Sequence, residues 1–186
     1  MIKRLVLATC SCLVLAAAFA HELPANRLTL VLRDETHLSL TCRVDYTAAL
    51  HQALAPKRTL QEFVVMYSAM KPADFQKEMV RAQSKFSTGT RLVLPTGAWL
   101  PITRWYWPEP TRVQAQLQAR AMQALVGVSD HEHETSLEIG ADATANRPIK
   151  SVALSLPEEF GKVMVVSYQP RQTWVEPRTA ASLIQF

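Results

Sequence analysis

Once the export signal is set aside, one cysteine remains in the chain, and that limits how the fold can be held together. The 186 residues open with Met1-Ile2-Lys3-Arg4, run through an apolar stretch from Leu5 to about Ala18, and reach Ala18-Phe19-Ala20. A positive start, an apolar core and small residues at −3 and −1 are what signal peptidase reads, so residues 1–20 are expected to be a signal peptide and His21 the first mature residue. Cys10 and Cys12 leave with that segment, and neither stands in a lipobox, which argues against a lipid anchor. Cys42 then stands alone. An exported domain with no intramolecular disulfide must be held by packing. Taking 20 residues from 186 leaves 166, and a single domain of that size buries roughly 70% of the surface its unfolded chain exposes.

Charge and composition exclude more than they suggest. Removing Lys3 and Arg4 from the 20 basic residues leaves 18 against 16 acidic ones, a balance that gives no electrostatic footprint for nucleic acid. Only 5 Gly against 11 Pro, with no repeat, excludes a collagen-like or glycine-rich chain. No apolar stretch after the signal approaches the roughly 18 residues a bilayer span needs; Phe63-Val64-Val65-Met66 is the nearest. The expectation is a soluble, monomeric protein of a Gram-negative periplasm.

Strand patterns sit at both ends of the chain and helical ones in the middle. Arg27 to Arg33 and His37 to Tyr46 alternate with period two and read as an opening hairpin, with Leu38, Leu40, Cys42 and Val44 on one face. Cys42 therefore reads as a buried small hydrophobe. Thr59 with Glu62 matches a capping box that opens a helix to about Met70. Pro72 starts a second helix with a stripe of Phe75, Met79, Ala82 and Phe86 that ends before Gly89. Pro110 starts a third, with Val113, Leu117, Ala121 and Leu125 on one face, stopping at Gly127. Met66, Met70 and Met79 fall at helical spacing among Phe and Val, which favours packing over soft metal ligation. Arg91 to Leu94 and Leu100 to Trp107 read as strands joined at Pro95-Thr96-Gly97. Thr135 to Ala143, Ile149 to Leu156, Val163 to Tyr168 and a short Thr173-Trp174-Val175 read as later strands. The predicted class is α+β: one domain over 21–186, an antiparallel β-sandwich of immunoglobulin or cupredoxin type, with about three helices inserted near 47–127 and interrupted by a hairpin near 90–107.

The five histidines are His21, His37, His51, His131 and His133. Cleavage after Ala20 gives His21 two nitrogen donors, its α-amine and its imidazole Nδ1, which can close a chelate ring on one ion. The amine, which ordinarily titrates at about 7.7–8.0, must lose its proton first. In Asp130-His131-Glu132-His133-Glu134 an extended backbone points His131 and His133 to one side and Glu132 to the other. A solvated acidic turn is the alternative reading of that pair. Together with His21 it offers up to four nitrogens, a set that suits tetragonal Cu(II).

This ligand pattern resembles the histidine-brace copper proteins, a group that includes lytic polysaccharide monooxygenases and CopC-type periplasmic copper carriers. The arrangement is most similar to the copper-bearing soluble subunit of particulate methane monooxygenase, where an N-terminal His works with a distant His-x-His pair. The resemblance implies a copper site formed by His21, His131 and His133. The mature start, His21-Glu22-Leu23-Pro24-Ala25 followed by the strand Arg27 to Arg33, is also similar to the extracytoplasmic domains found with HupE/UreJ-type membrane proteins. That likeness implies a metal-transport or copper-handling membrane partner. Glu22 and Asp130 are placed to orient an imidazole, or else are surface carboxylates.

Copper binding or delivery is thus the function expected, ahead of two others. A copper-dependent oxygenase needs an open coordination position, and Trp99, Trp105, Tyr106 and Trp107 would have to present a sugar. Alternation puts Trp105 and Trp107 on one face and Tyr106 on the other, the pattern of a half-buried strand. A metal-free interaction module would dock through the Pro170 to Phe186 tail. No Gly-x-Ser-x-Gly elbow, phosphate loop, Cys-x-x-Cys or His-Glu-x-x-His is present.

Overall fold

Alternation in the first two strands decides which side of the sheet is wet. In the computed structural model, which describes residues 26–126 and 136–170, Leu28 and Leu30 of β1 (Arg27–Arg33) are buried, as are Leu38, Leu40, Cys42 and Val44 of β2 (His37–Asp45). The two strands pair antiparallel from Arg27 opposite Arg43 to Arg33 opposite His37, which is the expected hairpin. Its turn holds Asp34 and Glu35 in left-handed backbone, at φ +48° and +57°.

Two helices begin where side chains satisfy their first free N–H groups, and two begin at a proline. Asp45 closes β2 and opens α1 (Tyr46–Leu54), its carboxylate accepting from the Ala48 N–H at 3.0 Å. Thr59 and Glu62 form the predicted capping box at α2 (Leu60–Ser68): the Glu62 N–H donates to Thr59 Oγ1 at 3.2 Å and the Thr59 N–H to Glu62 Oε2 at 2.9 Å. Those bonds hold the Glu62 carboxyl below its ordinary pKa. Pro72 starts α3 (Pro72–Gly89), where Phe75, Met79, Ala82 and Phe86 are all buried as their spacing predicts. Pro110 starts α4 (Pro110–Val126), which buries Val113 and Leu117. The described residues thus hold four helices. The additional one, α1, lies in a segment whose N-cap is Asp45.

After α3 come β3 (Arg91–Val93) and β4 (Ile102–Tyr106), and after α4 come β5 (Ser136–Thr144), β6 (Ala153–Ser155) and β7 (Met164–Tyr168). Five strands form one sheet in the order β4-β5-β2-β1-β7, and β3 pairs with β6 in a two-stranded ribbon. Two expectations need correcting. The main sheet is mixed, because β7 runs parallel to β1. The chain comes to β7 from the end where β1 starts and is fixed there by the Met164 N–H donating to the Asn26 carbonyl at 3.0 Å. The hairpin predicted near 90–107 also comes apart. Its turn closes with a Val93–Trp99 bridge, but Pro101 has no N–H to continue the ladder, and β3 pairs with β6 while β4 pairs with β5. The last predicted strand, Thr173-Trp174-Val175, lies outside the described residues.

The α+β class therefore holds, with the buried face of the main sheet covered by helices and the ribbon. Leu28, Leu40, Val44, Leu137 and Ile139 from the sheet share one apolar core with Phe63, Phe75, Phe86 and Leu117 from the helices and Leu92 from the ribbon. Phe86 ties its parts together, with ring centroids 6.1 Å from Tyr46, 6.5 Å from Trp107 and 5.0 Å from Phe160. On the opposite face Arg27, Thr29, Ser39, Thr41, Arg43, Glu138 and Asp142 are half-buried or exposed. The close of α3 leaves no room for a side chain, since a Cβ on Gly89 would lie 2.7 Å from the Pro157 Cβ. Gly89→Ala should lower stability by about 1–3 kcal/mol through overpacking. Val80→Ala, at a position 58% exposed on the same helix, should stay within about 0.5 kcal/mol. Urea unfolding followed by circular dichroism distinguishes the two.

Candidate metal centre

His21, His131 and His133 lie outside the described residues, as do Glu22 and Asp130. What is described is where the segments carrying them join the fold. β1 and β5 flank β2 and both run antiparallel to it, so both begin beside its C-terminal end. Arg27 and Glu138 stand opposite the same residue, Arg43, and Ser136 stands opposite Asp45. Two strand spacings of about 4.8 Å separate the starts of β1 and β5 by about 10 Å.

That end of the sheet is well anchored. Asn26 donates from Nδ2 to the Phe160 carbonyl at 2.7 Å, and its Oδ1 accepts from the Asp45 N–H at 2.9 Å. Asp45 in turn caps α1 and lies 3.5 Å from Arg120 Nη1 on α4. On the open face beside it, Arg43 pairs with Glu138 at 2.6 Å, an exposed pair of the kind worth little to stability.

The other candidate groups have structural occupations. His51 is buried on α1, packs with its ring centroid 5.5 Å from that of Phe63 at a 57° tilt, and approaches the Arg58 carbonyl at 2.7 Å. A carbonyl only accepts, so Nε2 carries the proton and the ring is held as a core donor. His37 pairs with the Thr144 hydroxyl at 3.2 Å at the far end of β2. Met79 is fully buried, and Met66 and Met70 pack on the core. Tyr46 is fully buried against Phe86, and burial pushes its phenol pKa upward, so it stays neutral. No group of three His, Cys, Asp or Glu among the described residues is arranged to hold a metal ion.

The aromatic strand behaves as its alternation predicts. Trp105 stacks on Trp107 with ring centroids 4.8 Å apart and planes 10° from parallel, while Tyr106 lies on the open face and donates to Asp142 Oδ2 at 3.0 Å. Two features have no clear signature in the sequence pattern. Asp142 is a cross-strand hub, accepting from Ser39 Oγ at 2.9 Å as well. Its one legible sign is Gly140, which leaves space for the Tyr106 ring to lie 3.1 Å from where a Cβ would stand. The second is Trp99, which is 67% exposed over a groove of about 630 Å³.

Burial pushes the Cys42 thiol up to about 12, so near neutral pH the thiolate that reacts is essentially absent. In the folded protein at pH 8, Cys42 should react with a thiol-specific disulfide reagent on the order of a hundredfold more slowly than in urea-unfolded protein. With the folded pKa raised, this group's contribution to stability is complete below the ordinary thiol value near 8.5 and is lost as pH rises toward 12. Equal rates in the two states would contradict a buried thiol.

No family profile, no characterised protein and no solved structure matches the chain, so function has to be read from its own residues.

Proposed function

We propose that this is an exported periplasmic protein that binds one copper ion through the α-amine and imidazole of His21 together with His131 and His133. The observation that carries the reading is the shared end of the sheet. His21 is five residues ahead of Asn26, and His133 is three ahead of Ser136. At about 3.3–3.6 Å per residue those segments reach at most about 18 Å and 11 Å, together well beyond the separation of the two strand starts. A common ion is therefore within reach of all three side chains. Were the starts of β1 and β5 at opposite ends of β2, about 26 Å of strand would divide the two halves of the site.

The donor set points to handling of the ion rather than oxidation. Three imidazoles and an amine fill the four strong positions of tetragonal Cu(II) and leave little room for oxygen to bind. Delivery to, or acceptance from, a membrane metal-transport or copper-handling protein is the role this reading assigns. Because every donor must be deprotonated to bind, affinity falls as pH drops through the amine near 7.7–8.0 and the imidazoles near 6.5.

Calorimetric titration of Cu(II) into protein beginning at His21, beside protein carrying one extra alanine ahead of it, tests the proposal. Tight one-to-one binding, weakened at least about tenfold by the added residue and by joint His131→Ala and His133→Ala substitution, is expected. Equal, weak binding by all forms would contradict it.

A further inference from the structure

The groove beneath Trp99 is a second site of different chemistry. It lies where the last turn of α3 meets β3 and the core-facing side of β4, and its volume of about 630 Å³ is within the range of small-ligand sites. We propose that it binds an acidic saccharide, a short sugar chain bearing carboxylates.

Three observations fix the class. The walls are aromatic: Trp99 is 67% exposed with its backbone held by the bridge to Val93, and Trp105 is braced from behind by Trp107. Rigid indole faces of this kind take up the flat apolar side of a ring at small entropic cost. Among the described residues, the one charged group in the lining is Arg91, which is exposed and makes no ion pair there. A guanidinium there offers a two-pronged donor that matches a carboxylate. Besides the two indole N–H groups, the remaining polar side chains among the described lining residues are three hydroxyls whose protons are spent. Thr88 Oγ1 donates to the Ser84 carbonyl at 2.8 Å, Ser87 Oγ to the same carbonyl at 3.0 Å, and Thr90 Oγ1 to the Phe86 carbonyl at 2.8 Å. Towards a ligand these oxygens are acceptors only.

A fitting ligand therefore combines a flat apolar face, an anion and several hydroxyl donors. A plain aromatic acid supplies the first two and leaves the acceptors unmet. A peptide added as a strand along β4 would need a regular row of N–H and C=O groups, and the irregularity between Ile102 and Arg104, next to Pro101, interrupts it. A uronic-acid oligomer has all three features.

Titrating the mature protein with tetragalacturonate, and with neutral cellotetraose, while following tryptophan fluorescence tests the inference. Saturable change with the acidic tetramer is expected, at least about tenfold weaker in Trp99→Ala and weakened by added salt. Arg91→Gln should abolish the preference for the acidic over the neutral sugar. Both positions are exposed, so thermal melts of the variants should match the parent. No saturable change with tetragalacturonate, equal affinity in Trp99→Ala, or tighter saturation by an extended apolar peptide would overturn the assignment.

Discussion

Pairing of β2 along its whole length is the constraint that organises every other element. It is the middle strand of five, with β1 matched from Arg27 to Arg33 on one side and β5 from Ser136 to Thr144 on the other. Its alternating side chains set the face that the helices and the ribbon must respect. A slip of one residue would expose Leu38, Leu40, Cys42 and Val44 and bury His37, Ser39, Thr41 and Arg43, which is too costly to compete. Register on both sides is thereby fixed, and so is the end at which β1 and β5 begin.

The helices add weight to that choice. Asp45 serves at once as the last residue of β2, the cap of α1 and the partner of Asn26 and Arg120. One position thus couples the end of the central strand to two helices. Phe86 does the same for the apolar side, touching Tyr46 from α1, Trp107 beyond β4 and Phe160 ahead of β7. No disulfide spans the described residues, where Cys42 is free and buried, so contacts between residues far apart in sequence hold their first and last strands together.

Much of this is legible in the residues because it is local. The capping box at Thr59, the stripe from Phe75 to Phe86 and the alternation of β2 each depend on neighbours within one turn or one strand. What is not legible depends on partners distant in sequence. The turn at Pro95-Thr96-Gly97 can be read locally, but that β3 leaves it for β6 and β4 for β5 is decided by the competition among strands. The parallel pairing of β7 with β1 is equally remote, resting on hydrogen bonds between Asn26 and residues 160 and 164. The exposure of Trp99 is hidden for the same reason: alternation says which face a residue of a regular strand takes, and says nothing of a tryptophan in an isolated bridge before it. Of the proposed ligands, His21, His131 and His133 are singled out by a cleavage site and a spacing; what the fold adds is the nearness of the strands that follow them.

Copper held at the end of the sheet where β1 and β5 start would leave a spatial mark on the molecule. Amide signals of isotope-labelled protein, recorded before and after one equivalent of Cu(II), reveal it directly, because the unpaired electron erases signals near the ion. Loss is expected around Asn26, Val44, Asp45 and Leu137, while the Asp34 to Thr36 turn and Thr144, about 26 Å along β2, keep their signals. Loss centred on His37 or His51, or spread evenly over the molecule, would contradict a copper site at that end.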